Sequence, residues 1–347
     1  MPLSSPIAPM LAKLERELPR GEGWVYEPKW DGFRAIVFLS GGSVEIQSRD
    51  KRPFNRYFPE LLPVLSSTFP PDAVVDGEIV VAGSEGLDFD LLQMRLHPAE
   101  SRVRMLAERT PVSFVAFDVL AVGDRSLMEV EFAERRRELE AMLAGRDGEG
   151  VPGPGSAQVL LTPQTGDPDE AEAWFDTFAP LGLDGVVAKK LSMNYSPGER
   201  VMVKVKRIKT ADCVVGAYRP SRVDEGIGSL LLGLYDDAGV LHFVGHTSSF
   251  SAAERLRLRR ELAKYEKDAH SFGEGRAPGG PSRWTQRELP WVPLRPELVC
   301  EVRYDKLQGD RFRHAATFLR WRDDKRPEEC TFDQLDSAPP RAPTGDG

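Results

Sequence analysis

Acidic side chains interrupt three strand-like apolar runs in this sequence. The runs and their acids are 73–81 with Asp76 and Glu78, 114–120 with Asp118, and 183–189 with Asp184. A buried carboxylate without a partner is costly, so such strands fold only if each acid reaches water or meets cations. Taken singly, each acid is consistent with a strand end in water. Taken together, they are also consistent with strands that converge on one polar pocket.

A second constraint is the stretch from residue 26 to residue 34, Tyr-Glu-Pro-Lys-Trp-Asp-Gly-Phe-Arg. Pro28 restricts its neighbours' backbone and Gly32 permits a turn, which predicts a loop that presents the Lys29 amine. An exposed lysine has a pKa of about 10.4 and is almost wholly protonated at neutral pH. Burial or nearby cations would lower that pKa and make Lys29 a nucleophile. The alternative is a solvated loop lysine, and Lys-x-Asp-Gly alone does not decide between the two.

The pattern along the chain predicts an α+β protein of two domains. In the first, residues 1–209, strands alternate with helices. The predicted helices are 56–65, 88–96, 131–143 and 170–178. Predicted strands include 33–38 and 43–49, which Ser40-Gly41-Gly42 joins as a hairpin.

After residue 209 the sequence pattern is typical of a small β-barrel. The predicted strands are 213–218, 229–235, 240–246, 298–304 and 317–321. Five strands with an inserted helix at 252–266 predict an oligonucleotide-binding (OB) fold over residues 210–336. The tail, 337–347, is rich in Pro and Gly and is predicted to be disordered.

Charge and cysteine content limit the partners and the compartment. The net charge is −8, yet a polyanion responds to local charge, and cations gather at 200–209 and 311–326. The group Arg255, Arg257, Arg259 and Arg260 has instead the spacing of a solvated helix face. Three distant cysteines without Cys-x-x-Cys argue against disulfides and a zinc site. With no signal sequence and no apolar run of ~20 residues, we expect a cytoplasmic protein without a membrane partner.

The acids in the predicted strands can be interpreted together with nearby lysines. Lys29 and Asp31 share one stretch, and Lys204-x-Lys206 alternates along a predicted strand. Carboxylates can hold Mg²⁺ and ribose hydroxyls, and lysines can hold phosphates. The sequence therefore predicts a nucleotide pocket.

The order of these motifs resembles that of the ATP-dependent DNA ligases. The matching segments are Glu27-x-Lys29-x-Asp31-Gly32-x-Arg34, Ser48-Arg49, Asp76-Gly77-Glu78, 114–120, 184–189, Lys204-x-Lys206 and 320–325. The resemblance covers almost the whole chain. It is strongest to small bacterial ligases of the C type, which have only an adenylation domain and an OB domain.

The resemblance implies a role for each matched residue. Lys29 would form a lysyl-AMP, assisted by Asp31, Lys204 and Lys206. The implied nucleotide-binding residues are Glu27, Arg34, Arg49, Glu78, Phe117, Lys189, Arg322 and Lys325. Phe117 would stack on adenine, although an ordinary core aromatic is equally consistent with the sequence. Glu78 and Asp184 would hold a metal, and Asp184 departs from the family's usual Glu, which is one methylene longer.

The implied activity is the sealing of 5′-phosphate/3′-hydroxyl nicks in duplex DNA, with ATP and Mg²⁺ or Mn²⁺, in DNA repair. The implied partners are nicked DNA and DNA-repair proteins, and we expect a monomer. A capping-type guanylyltransferase and an RNA ligase share the lysine motif and the two-domain plan. A nucleic-acid-binding module with a relic pocket is the alternative from another class. Its weakness is that a relic has no reason to keep Lys29, Asp31, Lys204 and Lys206.

Overall fold

The chain forms two compact units, Met1–Arg207 and Ile208–Gly347. The structure is a computed structural model. It describes residues 2–83, 86–145, 152–153, 155, 157–178, 181–206, 209–269, 271–273, 278, 290–305 and 307–335. The tail predicted from residue 337 lies outside the described residues. Within them, no helix has the length and apolar character needed to cross a membrane.

The first unit mixes strands and helices, as the sequence predicts. Its strands are β1 (Leu11–Glu15), β2 (Trp24–Pro28), β3 (Phe33–Ser40), β4 (Ser43–Ser48), β5 (Ala73–Val81), β6 (Val112–Val122), β7 (Arg125–Ser126), β8 (Val159–Leu161), β9 (Gly185–Lys190) and β10 (Arg200–Lys206). Its helices are α1 (Leu61–Thr68), α2 (Phe89–Met94), α3 (Glu100–Arg109), α4 (Phe132–Leu143) and α5 (Pro168–Thr177). A 3₁₀ turn spans Asn55–Tyr57.

Two sheets organise this unit. One has the strand order β4-β3-β5-β6-β7, with β8 parallel to β6, and the other has the order β1-β10-β9-β2. The predicted hairpin joins β3 to β4, and both Gly41 (φ 56°) and Gly42 (φ 83°) have the positive φ that a tight hairpin turn requires. The apolar side chains of α1 and α4 pack on the first sheet, which buries Leu61, Leu65 and Leu139 completely.

Two local predictions for this unit were wrong. The helix expected at 56–65 is instead a 3₁₀ turn followed by α1, because Phe58 precedes Pro59 and adopts φ −133°, ψ 55°, outside the helical region. The stretch before Lys29 is not a loop but strand β2, which pairs with β9. Gly32 is required by close approach rather than by a turn, since a Cβ there would lie 2.1 Å from the Ile79 carbonyl oxygen.

Two of the strand acids are wholly buried and paired with arginines. Asp118 binds Arg135 of α4 through contacts of 2.7 and 2.9 Å, and Asp76 binds Arg34 of β3 through contacts of 2.6 and 2.7 Å. Neither acid lies at a strand end in water, and bidentate pairing offsets the cost of burying these charges.

The second unit is a β-barrel with one helix. Its strands are β11 (Lys209–Pro220), β12 (Ile227–Tyr235), β13 (Leu241–Thr247), β14 (Val292–Pro293), β15 (Val299–Tyr304), β16 (Leu307–Gln308), β17 (Arg311–Phe312) and β18 (Thr317–Trp321). Its helix is α6 (Ala252–Leu262), followed by a 3₁₀ turn at Ala263–Tyr265. Two further 3₁₀ turns span Pro327–Glu329 and Phe332–Gln334.

The five predicted barrel strands are confirmed as β11, β12, β13, β15 and β18. They form one antiparallel sheet of order β13-β12-β11-β15-β18. A bridge between Thr247 and Ala316 joins the end of β13 to the residue before β18 and so closes the barrel. Together with the first unit, this confirms the predicted α+β class with an OB barrel.

The three cysteines, distant in sequence, lie together in this barrel. Cys213 of β11 is directly opposite Cys300 of β15, and all three thiols, including Cys330, are free and buried. Burial raises the pKa of Cys213 well above its ordinary value, and the neighbouring Cys300 and Cys330 add to the shift. High thiol pKa values make these side chains packing residues of low reactivity.

Candidate active site

The lysine of the 26–34 stretch is held at the end of β2 by contacts on both sides. The Lys29 backbone N–H donates to the Gly185 carbonyl at 2.8 Å. The next residue, Trp30, is buried, and its indole N–H donates to the Thr162 hydroxyl at 2.8 Å. The backbone of Lys29 is therefore fixed, and only its side chain is free to reorient.

The Lys29 amine forms an ion pair with Asp184, which also pairs with Lys206. Its Nζ lies 2.6 Å from Asp184 Oδ1, and Lys206 Nζ lies 2.8 Å from Asp184 Oδ2. Burial alone would lower the pKa of Lys29, but the Asp184 carboxylate outweighs burial and raises it. Likewise burial would raise the pKa of Asp184, but Lys29 and Lys206 lower it. In the free protein Lys29 is thus an ammonium ion, the opposite of the lowered pKa expected from burial or nearby cations.

The carboxyl group of Glu78 has a strongly raised pKa. It lies on β5 directly opposite Arg34 of β3. Burial raises its pKa to about 7, although Arg34 and Lys29 act in the other direction. A carboxyl with this pKa is poised to take up or release a proton at working pH.

Arg34 is fixed over the aromatic ring of Phe117. Its guanidinium carbon lies 4.3 Å from the ring centroid, while Asp76 holds its Nε and Nη2. The Tyr195 hydroxyl donates to Asp76 at 2.6 Å and accepts from the Met10 N–H at 3.1 Å. Tyr195 and Asp76 therefore set the position of a cation that lines the site.

A buried ion pair also lies beside the Phe117 ring. Lys189 Nζ lies 4.9 Å from the Phe117 ring centroid and 2.7 Å from Glu27 Oε2. It also donates to the Phe117 carbonyl at 3.1 Å, and Gln164 donates to Glu27 at 3.1 Å. This network joins β2, β6 and β9 and presents a flat aromatic surface framed by charge.

Part of the positive charge beside the cavity is not paired with carboxylates. Arg200, Met202 and Lys204 alternate on the strand and face the same cavity. Burial lowers the pKa of Lys204, and the charges of Lys29, Lys206, Arg49 and Arg200 lower it further. Among the described residues, Lys204 and Arg49 have no ion pair with a carboxylate. Such a group of cations is suited to a polyphosphate.

These side chains surround a cavity of about 530 Å³ in the first unit. Most of the predicted site residues line it, namely Glu27, Lys29, Arg34, Arg49, Glu78, Phe117, Lys189 and Lys204. Asp184 and Lys206 adjoin it through Lys29. The charge of Asp31 acts on both Lys29 and Glu78, so it lies nearby.

Two predicted site residues neither line this cavity nor adjoin it within the first unit. Arg322 and Lys325 belong to the second unit, where both bind Asp212, at 2.8 and 2.9 Å for Arg322 and at 2.8 Å for Lys325. Two residues of the site, Arg200 and Tyr195, were not among the predicted site residues, although Arg200 belongs to the predicted basic cluster at 200–209. Arg200 could have been found from its alternation with Lys204, whereas no sequence pattern points to Tyr195.

The cavity offers a metal ion carboxylates but no complete cage. Among the described residues, no group of three or more His, Cys, Asp or Glu side chains could hold a metal. Asp184, Asp31 and Glu78 are the carboxylates whose charges act on Lys29. Mg²⁺ commonly binds one or two carboxylates and completes its shell with substrate phosphates and water. The donor set fits a metal that arrives with a nucleotide.

Replacing Glu78 with glutamine is expected to stabilise the free protein at pH 8, on the order of 2 kcal/mol, and to change its stability little at pH 5. The folded protein keeps the Glu78 proton up to a pKa of about 7, above the ordinary 4.5. Wild-type stability therefore falls as pH rises through that window, while glutamine carries no charge to bury. Urea unfolding at both pH values measures the difference.

The exposed Glu45→Gln serves as the control for that experiment, since Glu45 lies on β4 and faces solvent. It should have the same small effect at both pH values. A gain from Glu78→Gln that does not change between pH 5 and pH 8 would contradict the assignment of the shift to Glu78.

Comparisons with known proteins cover both units. Residues 7–206 match the family described as ATP dependent DNA ligase domain, and residues 224–325 match that described as ATP dependent DNA ligase C terminal region. DNA ligase C1 of Mycolicibacterium smegmatis is 47% identical over 348 residues, which cover 97% of this chain and 96% of the relative.

A longer relative and a solved structure also match. The multifunctional non-homologous end joining protein LigD of Mycolicibacterium smegmatis is 31% identical over 333 residues, which cover 94% of this chain but 40% of that protein. A crystal structure of the ligase domain from Mycobacterium tuberculosis LigD is similar with a TM-score of 0.50 and 29% identity. The match covers 94% of this chain and 98% of that chain.

Proposed function

The chain belongs to the ATP-dependent DNA ligase family, and from that premise we propose the role of each residue in its site. As a ligase of this family it is a covalent nucleotidyltransferase. The observation that carries the assignment is the Lys29 amine, which lies in a cavity beside Asp184 and next to cations without matching carboxylates. A nucleophile for phosphorus and a receptor for a polyphosphate thus share one cavity.

We propose that Lys29 attacks the α-phosphate of ATP. A bond forms between Nζ and phosphorus, and the bond from the α-phosphorus to the bridging oxygen breaks, so that pyrophosphate leaves. Lys29 must first lose a proton to solvent water, because Asp184 keeps the free protein's lysine charged. A competing partner for Asp184 is already in place, since Lys206 binds its other oxygen. Closer pairing of Asp184 with Lys206 would weaken its hold on the Lys29 proton.

The Phe117 ring is the proposed platform for adenine. Its exposure is only 7%, and Arg34 lies over it, so the base would enter beside or in place of that guanidinium. Asp76 and Tyr195 give Arg34 a defined position from which to contact the ribose or phosphate. Glu27 and Lys189 frame the ring, and Glu78 is the proposed partner of a ribose hydroxyl or of the metal.

Lys204 and Arg49 are the proposed receptors for the α-phosphate and then for the 5′-phosphate of the nick. AMP passes from Lys29 to that 5′-phosphate, and the 3′-hydroxyl of the neighbouring strand attacks it to release AMP. The same cations would stabilise the charge that develops on the oxygens in all three steps. Asp31, whose charge acts on Lys29 and Glu78, is proposed to help orient the lysine.

A divalent cation, Mg²⁺ or Mn²⁺, is the proposed cofactor beside ATP. Glu78 and Asp184 would hold it, and when bound it supplies Lewis-acid stabilisation of the phosphate oxygens. Asp184 would have to share its oxygens between the metal and the lysines, and its short side chain favours contact through water.

The proposed substrate is a nick in duplex DNA with 5′-phosphate and 3′-hydroxyl ends. The likeness to an end-joining protein supports a role in DNA repair. We propose further that the protein acts as a monomer in the cytoplasm and meets DNA-repair proteins there.

Incubation with ATP or GTP labelled at the α-phosphate tests the chemistry. We expect label from ATP alone to remain on the protein through denaturing electrophoresis, and then to pass to a nicked DNA duplex and be released as AMP. Label from GTP would instead favour a capping-type guanylyltransferase, and transfer to nicked RNA but not to DNA an RNA ligase. A protein that takes no label from either nucleotide would refute the covalent mechanism and favour a binding module.

A further inference from the structure

A single carboxylate of the second unit binds two cations. Asp212 of β11 accepts from Arg322 Nη1 through both oxygens, at 2.8 and 2.9 Å, and its Oδ2 also accepts from Lys325 Nζ at 2.8 Å. The Asp212 side chain is only 12% exposed, so salt screens these pairs less than surface pairs. Two like charges repel, and a shared carboxylate offsets that repulsion. Asp212 therefore keeps Arg322 and Lys325 side by side.

The backbone of Asp212 is fixed in turn by the side chain of Gln334. The Asp212 N–H donates to Gln334 Oε1 at 2.7 Å, and Gln334 Nε2 donates to the Asp212 carbonyl at 3.0 Å. The register of β12 on β11 begins at Val214, two residues after Asp212. Backbone N–H and C=O groups need partners wherever a neighbouring strand ends. The Gln334 amide thus takes the place of the neighbouring strand at Asp212.

Gln334 is itself held by the last 3₁₀ turn of the barrel, Phe332–Gln334. Its Nε2 also donates to the Thr331 carbonyl, at 2.9 Å. Phe332 and Leu335, which lie close to it in the chain, are buried in the core of the barrel. Supporting side chains that are locked by packing and hydrogen bonds hold functional groups to within a fraction of an ångström. The barrel core is therefore linked through Gln334 to the Asp212 carboxylate.

Asp212 holds the two cations without taking the donors that an external anion would use. The Nε and Nη2 edge of Arg322 binds Asp324, at 2.9 Å for each contact, and the Asp324 side chain is 64% exposed. An exposed ion pair is weak, so a diphosphate can replace Asp324 at this edge while Asp212 holds Nη1. Lys325 has three N–H donors, of which Asp212 accepts one. The geometry is therefore that of two cations supported from one side.

We propose that Asp212 and Gln334 are positioning residues for adenylation, which hold two cations where they receive the pyrophosphate of ATP. The two cations are Arg322 and Lys325. This inference rests on the proposed ligase chemistry and on the role that the resemblance implies for these cations. It adds two residues that lie outside every matched motif. Because the departing charge must be stabilised at a defined place, a small displacement of either cation slows the step.

The test compares adenylation by ATP with sealing of a nick that already carries 5′-adenylate, for wild type, Asp212→Asn and Gln334→Ala. Asparagine has the size of aspartate but no charge, so the two cations lose their common anchor. A misplacement of about 1 Å can cost about 100-fold in rate, and we expect a loss of that order in the adenylation rate constant of Asp212→Asn. Gln334→Ala should give a smaller loss in the same step. Sealing involves no pyrophosphate and should remain near wild type in both variants.

Discharge of the protein–AMP adduct by added pyrophosphate is the second readout. In this reverse reaction a pyrophosphate oxygen bonds to the AMP phosphorus, the bond from phosphorus to Lys29 Nζ breaks, Nζ takes up a proton from water, and ATP leaves. The pyrophosphate concentration for half-maximal discharge should rise in Asp212→Asn, because the same cations receive pyrophosphate in both directions. A role in folding alone would leave that concentration unchanged.

Asp237→Asn is the matched control, because it also replaces one carboxylate of the second unit by an amide. Asp237 is exposed and lies in the turn between β12 and β13. It should keep wild-type values in all three assays, and thermal unfolding checks the fold of each variant.

Equal adenylation rates in wild type and both variants would overturn the proposal. So would faster adenylation in Asp212→Asn, which would make the carboxylate an inhibitor, or equal losses in adenylation and sealing, which would assign it to folding or DNA contact. If Asp212→Asn does not fold, Gln334→Ala decides alone, since Phe332 and Leu335 still anchor its turn. Absence of label on wild type would refute the ligase chemistry together with this inference, whereas normal labelling of wild type with unaffected variants would refute this inference alone.

Discussion

Replacing Lys29 with arginine is expected to reduce the covalent protein–AMP adduct to background while the fold stays intact. Arginine keeps the positive charge and can still pair with Asp184, which Lys29 approaches to 2.6 Å. Its guanidinium does not give up a proton at working pH, so it cannot attack phosphorus. Labelling with ATP carrying a labelled α-phosphate measures the adduct, and thermal unfolding checks the fold.

Lys190→Arg is the matched control for this experiment. Lys190 lies on β9, the strand paired with β2, and its Nζ donates to the Glu22 carbonyl at 2.8 Å at the surface. It should accumulate adduct like wild type. If Lys29→Arg still formed adduct at the wild-type level, another lysine would be the nucleophile.

The residues of the site could be predicted from the sequence, but the pKa of the key lysine could not. Lys29 could be found because a proline, a tryptophan and a glycine fix its neighbourhood, and Lys204 because it alternates along a strand. The raised pKa of Lys29 could not be predicted, since it depends on Asp184, 155 residues away and just before β9, coming within 2.6 Å. Desolvation and pairing act on a charge in opposite directions, and only geometry decides which is larger.

The partners of the acids in the predicted strands could not be predicted from the sequence either. All four interrupt apolar runs, yet Asp118 binds Arg135 of α4 and lies outside the cavity lining, whereas Asp184 binds the Lys29 amine. Periodicity shows that a buried carboxylate needs a partner, but not which cation will reach it. Tyr195 escaped prediction for the same reason, because the contact of its hydroxyl with Asp76 joins residues 119 positions apart in the sequence.

The barrel was predictable because each of its main strands is long and bounded by turns. The cysteines illustrate what strand prediction leaves out. Cys213 and Cys300 fall within predicted strands, but their position opposite one another depends on the pairing of β11 with β15. Register is set by the whole sheet and not by either strand alone.

The largest separable effect is expected from Lys325→Ala, which should cripple adenylation by ATP and largely spare sealing of a nick that already carries 5′-adenylate. The family resemblance assigns Arg322 and Lys325 to the pyrophosphate of ATP, and both bind Asp212 here. We propose that they act on the nucleotide during adenylation, where their charges would orient and stabilise the leaving pyrophosphate. Neither later step involves pyrophosphate.

The structure makes this variant suitable, because Asp212 keeps the bidentate contact with Arg322 when Lys325 is removed. Folding should therefore be little affected, and Lys264→Ala, on the 3₁₀ turn after α6, controls for the loss of a surface lysine. Single-turnover assays of adenylation and of sealing pre-adenylated DNA give the two rates. If Lys325 formed only a surface ion pair, worth under ~1 kcal/mol, both rates would stay near wild type. Equal and large losses in both rates would assign Lys325 to DNA contact or folding, because a residue that acts only on pyrophosphate cannot slow a step from which pyrophosphate is absent.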